Sequence, residues 1–215
     1  MSSLKKVLVI APHADDEVLG VGGTIVKHTS RKDQVDVVVV SDREGFEDVQ
    51  RSQAAEARRI LGFRGLYFLG LKDEHLDESA SKIIKPMELV YEKIRPDIVY
   101  IPFYNDFNID HQAVHKACMV VCRRLQPYPP SEVLMYEIPS STTQSTVNLF
   151  SPNTYVSLGP ADIARKAKAF LQYSDEVREM PNPRNKDGLL TYAIFRGMEC
   201  GESYAEAFQS VYRKN

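Results

Sequence analysis

Short uninterrupted apolar runs alternate along this chain with longer stretches whose apolar positions recur every three or four residues. Val7-Leu8-Val9-Ile10 is the first run, and Pro12 ends it. Residues 18–29 then fit a helix packed closely on a sheet through Gly20, Gly22 and Gly23. A second run at 35–40, apolar but for Asp36, stops at the polar Ser41-Asp42-Arg43-Glu44-Gly45. Residues 47–61 predict a helix rich in Ala, Arg and Glu, stopped by Gly62, and 66–69 a short strand. Residues 79–94 form an amphipathic pattern, 97–102 a buried strand, and a helix follows to about residue 125. After a proline-rich break at 126–130 comes a strand at 132–137, then a polar stretch at 140–153 without period, expected to be a flexible rim loop. Ile163, Ala164, Ala167, Phe170 and Leu171 make a core-facing helical stripe. Residues 180–185 form a loop, and helices near 188–198 and 204–212 finish the chain.

Strands that read as continuous apolar runs are buried on both faces. Alternated with helices, they predict an α/β protein with a mostly parallel sheet and helices on both faces. The 215 residues fit one domain, 1–215, with no internal repeat.

Composition narrows the function. A net charge of −2 and a pI near 6.2 argue against a nucleic-acid partner. No apolar run reaches membrane-spanning length, and the run after Lys5 and Lys6 is too short for a signal peptide, so a cytoplasmic location is expected. The odd set of Cys118, Cys122 and Cys200 suits reduced thiols there, and a homo-oligomer is compatible with the pattern.

The candidate chemistry lies just past two strand ends. His13, Asp15, Asp16 and Glu17 crowd together after the first strand. First-turn acids complementing a helix dipole would explain the carboxylates alone. A second cluster, Tyr104 to His111, follows another strand, and a parallel sheet brings both clusters to one rim. His13, Asp16 and His111 then have the composition of a catalytic zinc site, three protein ligands with one position left for water. Asp15 stays free to act as general base, and the reaction class is metal-assisted hydrolysis of an amide or ester. Two histidines and a carboxylate also suit Fe²⁺, which leaves a non-haem iron oxygenase as a further alternative. His28, His75 and His115 are expected to be structural. Residues 20–23 lack the full dinucleotide-binding glycine pattern.

His13-Ala14-Asp15-Asp16-Glu17 with Gly20, Gly22, Gly23 and Thr24 resembles the first motif of the LmbE/PIG-L family of zinc-dependent N-deacetylases. Asn108-Ile109-Asp110-His111 resembles its second, and weaker likenesses extend through Arg51, Leu69 to Asp73 and Tyr204 to Phe208. The resemblance implies a Rossmann-like fold and removal of an N-acetyl group from an amino sugar or GlcNAc-type conjugate. It implies zinc ligation by His13, Asp16 and His111, with Asp15 as base toward the metal-bound water. It implies contact of Arg51 and Asp73 with the sugar or its aglycone, and an orienting role for Asp110. Two positions depart from the family pattern. Ala14 replaces Pro, and Asn108 replaces a His that helps stabilise the oxyanion and can donate a proton. Asn108 can donate an amide N–H to substrate but cannot carry charge, so a catalytically weakened metal- and sugar-binding protein is the alternative reading. Arg184, in the 180–185 loop, is placed as a partner for an anionic aglycone.

Overall fold

β1 (Lys6–Ala11) is buried from its second residue onward, and its side chains divide between two cores. In the computed structural model, which describes residues 4–76 and 80–214, Val7 and Val9 face one apolar cluster and Leu8 and Ile10 the other. β2 (Gln34–Asp42) divides likewise, with Val35, Val37 and Val39 on the first side and Val38 and Val40 on the second. Burial on both faces is why these strands appear in the sequence as near-continuous apolar runs, broken between Val35 and Val40 only by Asp36, rather than as alternating ones.

β3 (Gly65–Lys72), β4 (Ile98–Pro102) and β5 (Glu132–Tyr136) extend the sheet in parallel. β6 (Thr154–Ser157) and β7 (Ala205–Arg213) complete seven strands in the order β3-β2-β1-β4-β5-β7-β6. Helices α1 (Asp16–Ser30), α2 (Glu47–Leu61) and α5 (Pro160–Phe170) pack together on one face. Helices α3 (Ala80–Ile94) and α4 (Ile109–Val121) pack on the other, and α6 (Lys186–Cys200) lies against β7. Ser79, where α3 is expected to start, lies outside the described residues.

Two expectations are corrected and one strand is added. Where a helix is expected near 204–212, Ala205–Arg213 form strand β7, antiparallel to both β5 and β6. Ala and Glu are good helix formers, but backbone pairing on both sides outweighs that preference. The preceding strand β6 is an addition the sequence reading lacks. The 140–153 stretch is partly tied down: it contains a 3₁₀ turn at Thr142–Gln144, and Ser141 and Thr142 both donate to buried Asp106.

α1 leaves β1 almost directly and lies very close to the sheet. A Cβ at Gly20 would sit 2.3 Å from the Tyr136 ring, and one at Gly23 would sit 2.5 Å from Leu158, so only glycine permits this approach. The order of strands reverses between β1 and β4, since β1 continues to β2 and β3 on one side and β4 to β5 on the other. The crevice at such a reversal, past the carboxyl ends of the strands, is the usual ligand position in open α/β sheets.

Candidate metal centre

Both sequence clusters meet at that crevice. His13 leaves the end of β1, Asp16 opens α1, and His111 sits in the first turn of α4, whose N-cap Asn108 accepts from Asp110 N at 2.8 Å. The three side chains present His13 Nδ1, Asp16 Oδ2 and His111 Nε2 to one another. His13 Nδ1 lies 3.3 Å from Asp16 Oδ2, His111 Nε2 lies 3.3 Å from Asp16 Oδ2, and the two imidazole nitrogens are 3.3 Å apart. Ligand atoms on a tetrahedral zinc ion at its usual bond lengths are roughly 3.3–3.6 Å apart. Three electron-pair donors facing one another in a buried place need a cation or a shared proton between them. The triangle and its donor types fit zinc.

Carboxylates on the far side orient each imidazole. His13 Nε2 lies 2.9 Å from Asp73 Oδ1 and 3.3 Å from Asp110 Oδ2, which assigns the proton to Nε2 and leaves the Nδ1 lone pair facing the triangle. Asp110 is fixed in turn by Glu74 N at 2.8 Å and Leu76 N at 3.1 Å. His111 Nδ1 has Asp106 Oδ1 at 3.2 Å, close enough for charge attraction although the angle makes no hydrogen bond. Burial disfavours the His111 imidazolium, but Asp16 and Asp106 outweigh it and raise its pKa to about 9. Burial would likewise raise Asp16, yet both imidazoles hold that carboxyl well below the usual carboxylate range.

Asp15 is separate from the triangle. It is 1 % exposed, and its Oδ2 accepts no hydrogen bond from the described residues. Its backbone has φ 118° and ψ −27°, a conformation that costs a non-glycine residue about 1–3 kcal/mol. Glu17 Oε2 accepts from Asp15 N at 3.1 Å and holds it there, while Glu17 Oε1 accepts from Tyr173 Oη at 2.5 Å. Burial pushes the Glu17 carboxyl up to about 7.

Over these groups opens a cavity of about 490 Å³, whose walls include His13, Asp15, Asp73, Asn108, Asp110 and Arg184. Such a volume is ordinary for a small-molecule site. Arg51 is not among the lining residues. Its guanidinium lies 2.5 Å from Asp42 Oδ2, and its neighbours Arg43 and Gln50 reach the cavity instead. Asp73 serves two positions at once, touching His13 and facing the cavity. Arg184 bonds to carboxylates of the protein, Glu176 at 2.5 Å and Asp15 at 3.4 Å, and so is not placed as a free partner for an aglycone. Asp106 belongs to the second sequence cluster but has no role assigned to it there. Its only linear signal is an acid five residues before His111, inside the same cluster. His28 and His115 are structural as expected, held by Asp33 and Tyr100 and by the Pro102 carbonyl.

Comparison with known proteins agrees with the geometry. Residues 8–122 match the family described as GlcNAc-PI de-N-acetylase, PIG-L. The diacetylchitobiose deacetylase of Thermococcus kodakarensis is 33 % identical over 98 % of this chain and 84 % of its own length. The probable N-acetyl-alpha-D-glucosaminyl L-malate deacetylase 2 of Bacillus anthracis is 24 % identical over 80 % of this chain and 77 % of its own. Among solved structures, the 4-carboxy-2-hydroxymuconate hydratase of Pseudomonas putida superposes with a TM-score of 0.80, at 20 % identity over 99 % of this chain and 98 % of that one. That likeness concerns the fold alone, and a hydratase on this fold shows that the fold does not choose the reaction.

Proposed function

This chain belongs to the PIG-L (LmbE-like) family of deacetylases, and from that premise we propose that it is a zinc-dependent hydrolase that removes the N-acetyl group of an amino sugar or GlcNAc-type conjugate. One observation carries this reading: the 3.3 Å triangle of His13, Asp16 and His111 has a buried carboxylate beside it, Asp15, that belongs to no part of the triangle. The names of the two curated relatives share an N-acetylated amino sugar, and a 490 Å³ cavity accommodates one sugar with part of its attached group.

His13, Asp16 and His111 would hold the metal, which when bound lowers the pKa of water toward about 7 and polarises the acetyl carbonyl. Asp15 takes the proton of the attacking water and returns it to the leaving amine. Asn108 has its side-chain oxygen committed to the helix cap, so the amide nitrogen is the group it offers to the carbonyl oxygen as negative charge develops. Asp110 and Asp73 keep the His13 tautomer fixed, and Asp106 lends negative charge from behind His111. No helix among the described residues is long and apolar enough to cross a membrane, and the free thiols of Cys118, Cys122 and Cys200 support a cytoplasmic setting.

The decisive experiment is primary-amine release from a panel of N-acetylglucosamine conjugates by zinc-loaded protein. Release from at least one conjugate is expected, and none from the Asp15→Ala control. Silence across the panel would overturn the reading in favour of a binding protein. Metal retention is checked separately by competition with a chromogenic chelator. The parent should bind one zinc ion, and Asp16→Asn or His111→Ala should weaken it at least about a hundredfold. Retention of parental affinity in both variants would remove the triangle as the metal site.

Asn108 favours slow turnover, since one lost oxyanion donor costs about a hundredfold in rate. Asn108→His should therefore raise kcat and add a new limb to the pH–rate profile. An unchanged rate and profile would mean that Asp15 does not carry both proton transfers unaided.

A further inference from the structure

The 174–185 segment brings a half-buried arginine to the candidate base at the cavity wall. Arg184 Nη1 lies 3.4 Å from Asp15 Oδ2, an oxygen that accepts no hydrogen bond from the described residues. The guanidinium is itself held at two other points, Glu176 Oε2 at 2.5 Å and Ser140 Oγ at 2.9 Å. Its backbone is equally constrained. Arg184 N donates to Asn182 Oδ1 at 2.9 Å, its carbonyl accepts from Arg178 N at 2.8 Å, and the next residue, Asn185, caps α6 through Gly188 N at 2.8 Å. The first turn of α6 lies so close to this loop that a Cβ on Gly188 would sit 2.3 Å from the Pro183 carbonyl oxygen. This is a locked arrangement, unlike a surface arginine sampling rotamers.

We propose that Arg184 is a positioning residue. It fixes the direction of the Asp15 carboxylate and supplies the positive charge that Asn108 cannot provide. Its kinetic consequence rests on the deacetylase reading; the ion pair itself does not. A buried carboxylate oxygen with no hydrogen-bond donor turns toward whatever cation it can find. At this site that cation would otherwise be the metal, and Asp15 would become a fourth ligand instead of a base. Arg184, pulled back by Glu176 and Ser140, keeps Asp15 off the triangle and beside it. The planar fork makes these contacts simultaneously, which a lysine cannot fully copy.

The test combines kinetics with a measurement that needs no turnover. On the best panel substrate, Arg184→Gln should lower kcat by about a hundredfold, the usual effect of a small misplacement of a reacting group, with KM within about threefold. Arg184→Lys should recover part of the loss. In an Asp15→Asn background, Arg184→Gln should add nothing, because the two residues act as one unit. In parallel, the ¹⁵N guanidinium resonances of Arg184 in the zinc-loaded protein should shift in Asp15→Asn and in Glu176→Gln. Unmoved Arg184 resonances in Asp15→Asn would overturn the pairing, even in a protein that hydrolyses nothing in the panel. Shifted resonances with an unchanged kcat in Arg184→Gln, or a change in KM alone, would overturn the positioning role. Should Arg184→Gln not fold, Arg184→Lys and the resonances decide it.

Discussion

Asp15→Asn is expected to lower kcat for deacetylation by about a thousandfold or more, with zinc stoichiometry and KM nearly unchanged. General acid–base catalysis by one group contributes about 10²–10⁴, and here one carboxylate is assigned both proton transfers. Asn108 cannot take over either of them, since an amide neither gains nor gives a proton at neutral pH. The KM expectation follows from geometry, because Asn matches Asp in shape and the cavity wall is unaltered. A steady-state comparison on the preferred conjugate, with metal content measured on the same samples, checks it. A loss below about tenfold would remove Asp15 as the base.

The same residue should show a trade between stability and activity. Its φ of 118° is unfavourable for any residue with a Cβ, and its carboxylate is buried with Oδ2 unbonded. Glycine at this position relieves both costs and forfeits only the attraction to Arg184, which keeps Glu176 as a partner. Asp15→Gly should thus be inactive yet about 1 kcal/mol more stable to denaturant than the parent. Strain tolerated at a residue with no packing role is what a site selected for chemistry would show.

Much of this was legible in the linear sequence because the relevant signals are local. β1 and β2 are surrounded on both faces, so their central positions are apolar apart from Asp36, which pairs with Arg64. His13, Asp15 and Asp16 lie within four positions, and His111 lies one residue past its own cluster's acid. What stayed hidden depends on distant pairing. Asp106 resembles any loop acid until Ser141 and Thr142 fold back onto it. Arg184 has no sequence neighbour that announces Asp15. Arg51 is a further case of distant pairing: the Asp42 carboxylate at the end of β2 holds its guanidinium. β7 misleads most, since Ala205-Glu206-Ala207 has the composition of a helix and a glutamate within a buried strand is rare. The explanation for that glutamate is on two other elements.

Glu206 is expected to be the costliest single truncation outside the metal centre. Its Oε1 accepts from Gly23 N at 2.9 Å and from Lys166 Nζ at 2.6 Å, and its Oε2 accepts from Thr24 N at 2.7 Å. Lys166 Nζ also donates to the Leu19 carbonyl at 2.7 Å. Gly23 N and Leu19 O are the pair an undisturbed α-helix would join directly. Here an ion pair from β7 and α5 bonds to both groups, and it ties α1 to the sheet at its glycine-rich middle. Glu206→Ala leaves Lys166 buried without its anion and takes an acceptor from two helix N–H groups. Breaking a buried pair in this way costs about 3–5 kcal/mol, a third or more of a typical domain's stability. Replacing both partners, as Lys166→Met with Glu206→Gln, should recover much of the loss, because no uncompensated charge remains buried. Denaturant midpoints at constant m measure both variants. Since α1 presents Asp15 and Asp16 from its first turn, Glu206→Ala should also weaken zinc binding below its unfolding midpoint. A loss under about 1 kcal/mol would show that the glycines alone hold α1 in place, and parental zinc affinity would show that its first turn is positioned independently of its middle.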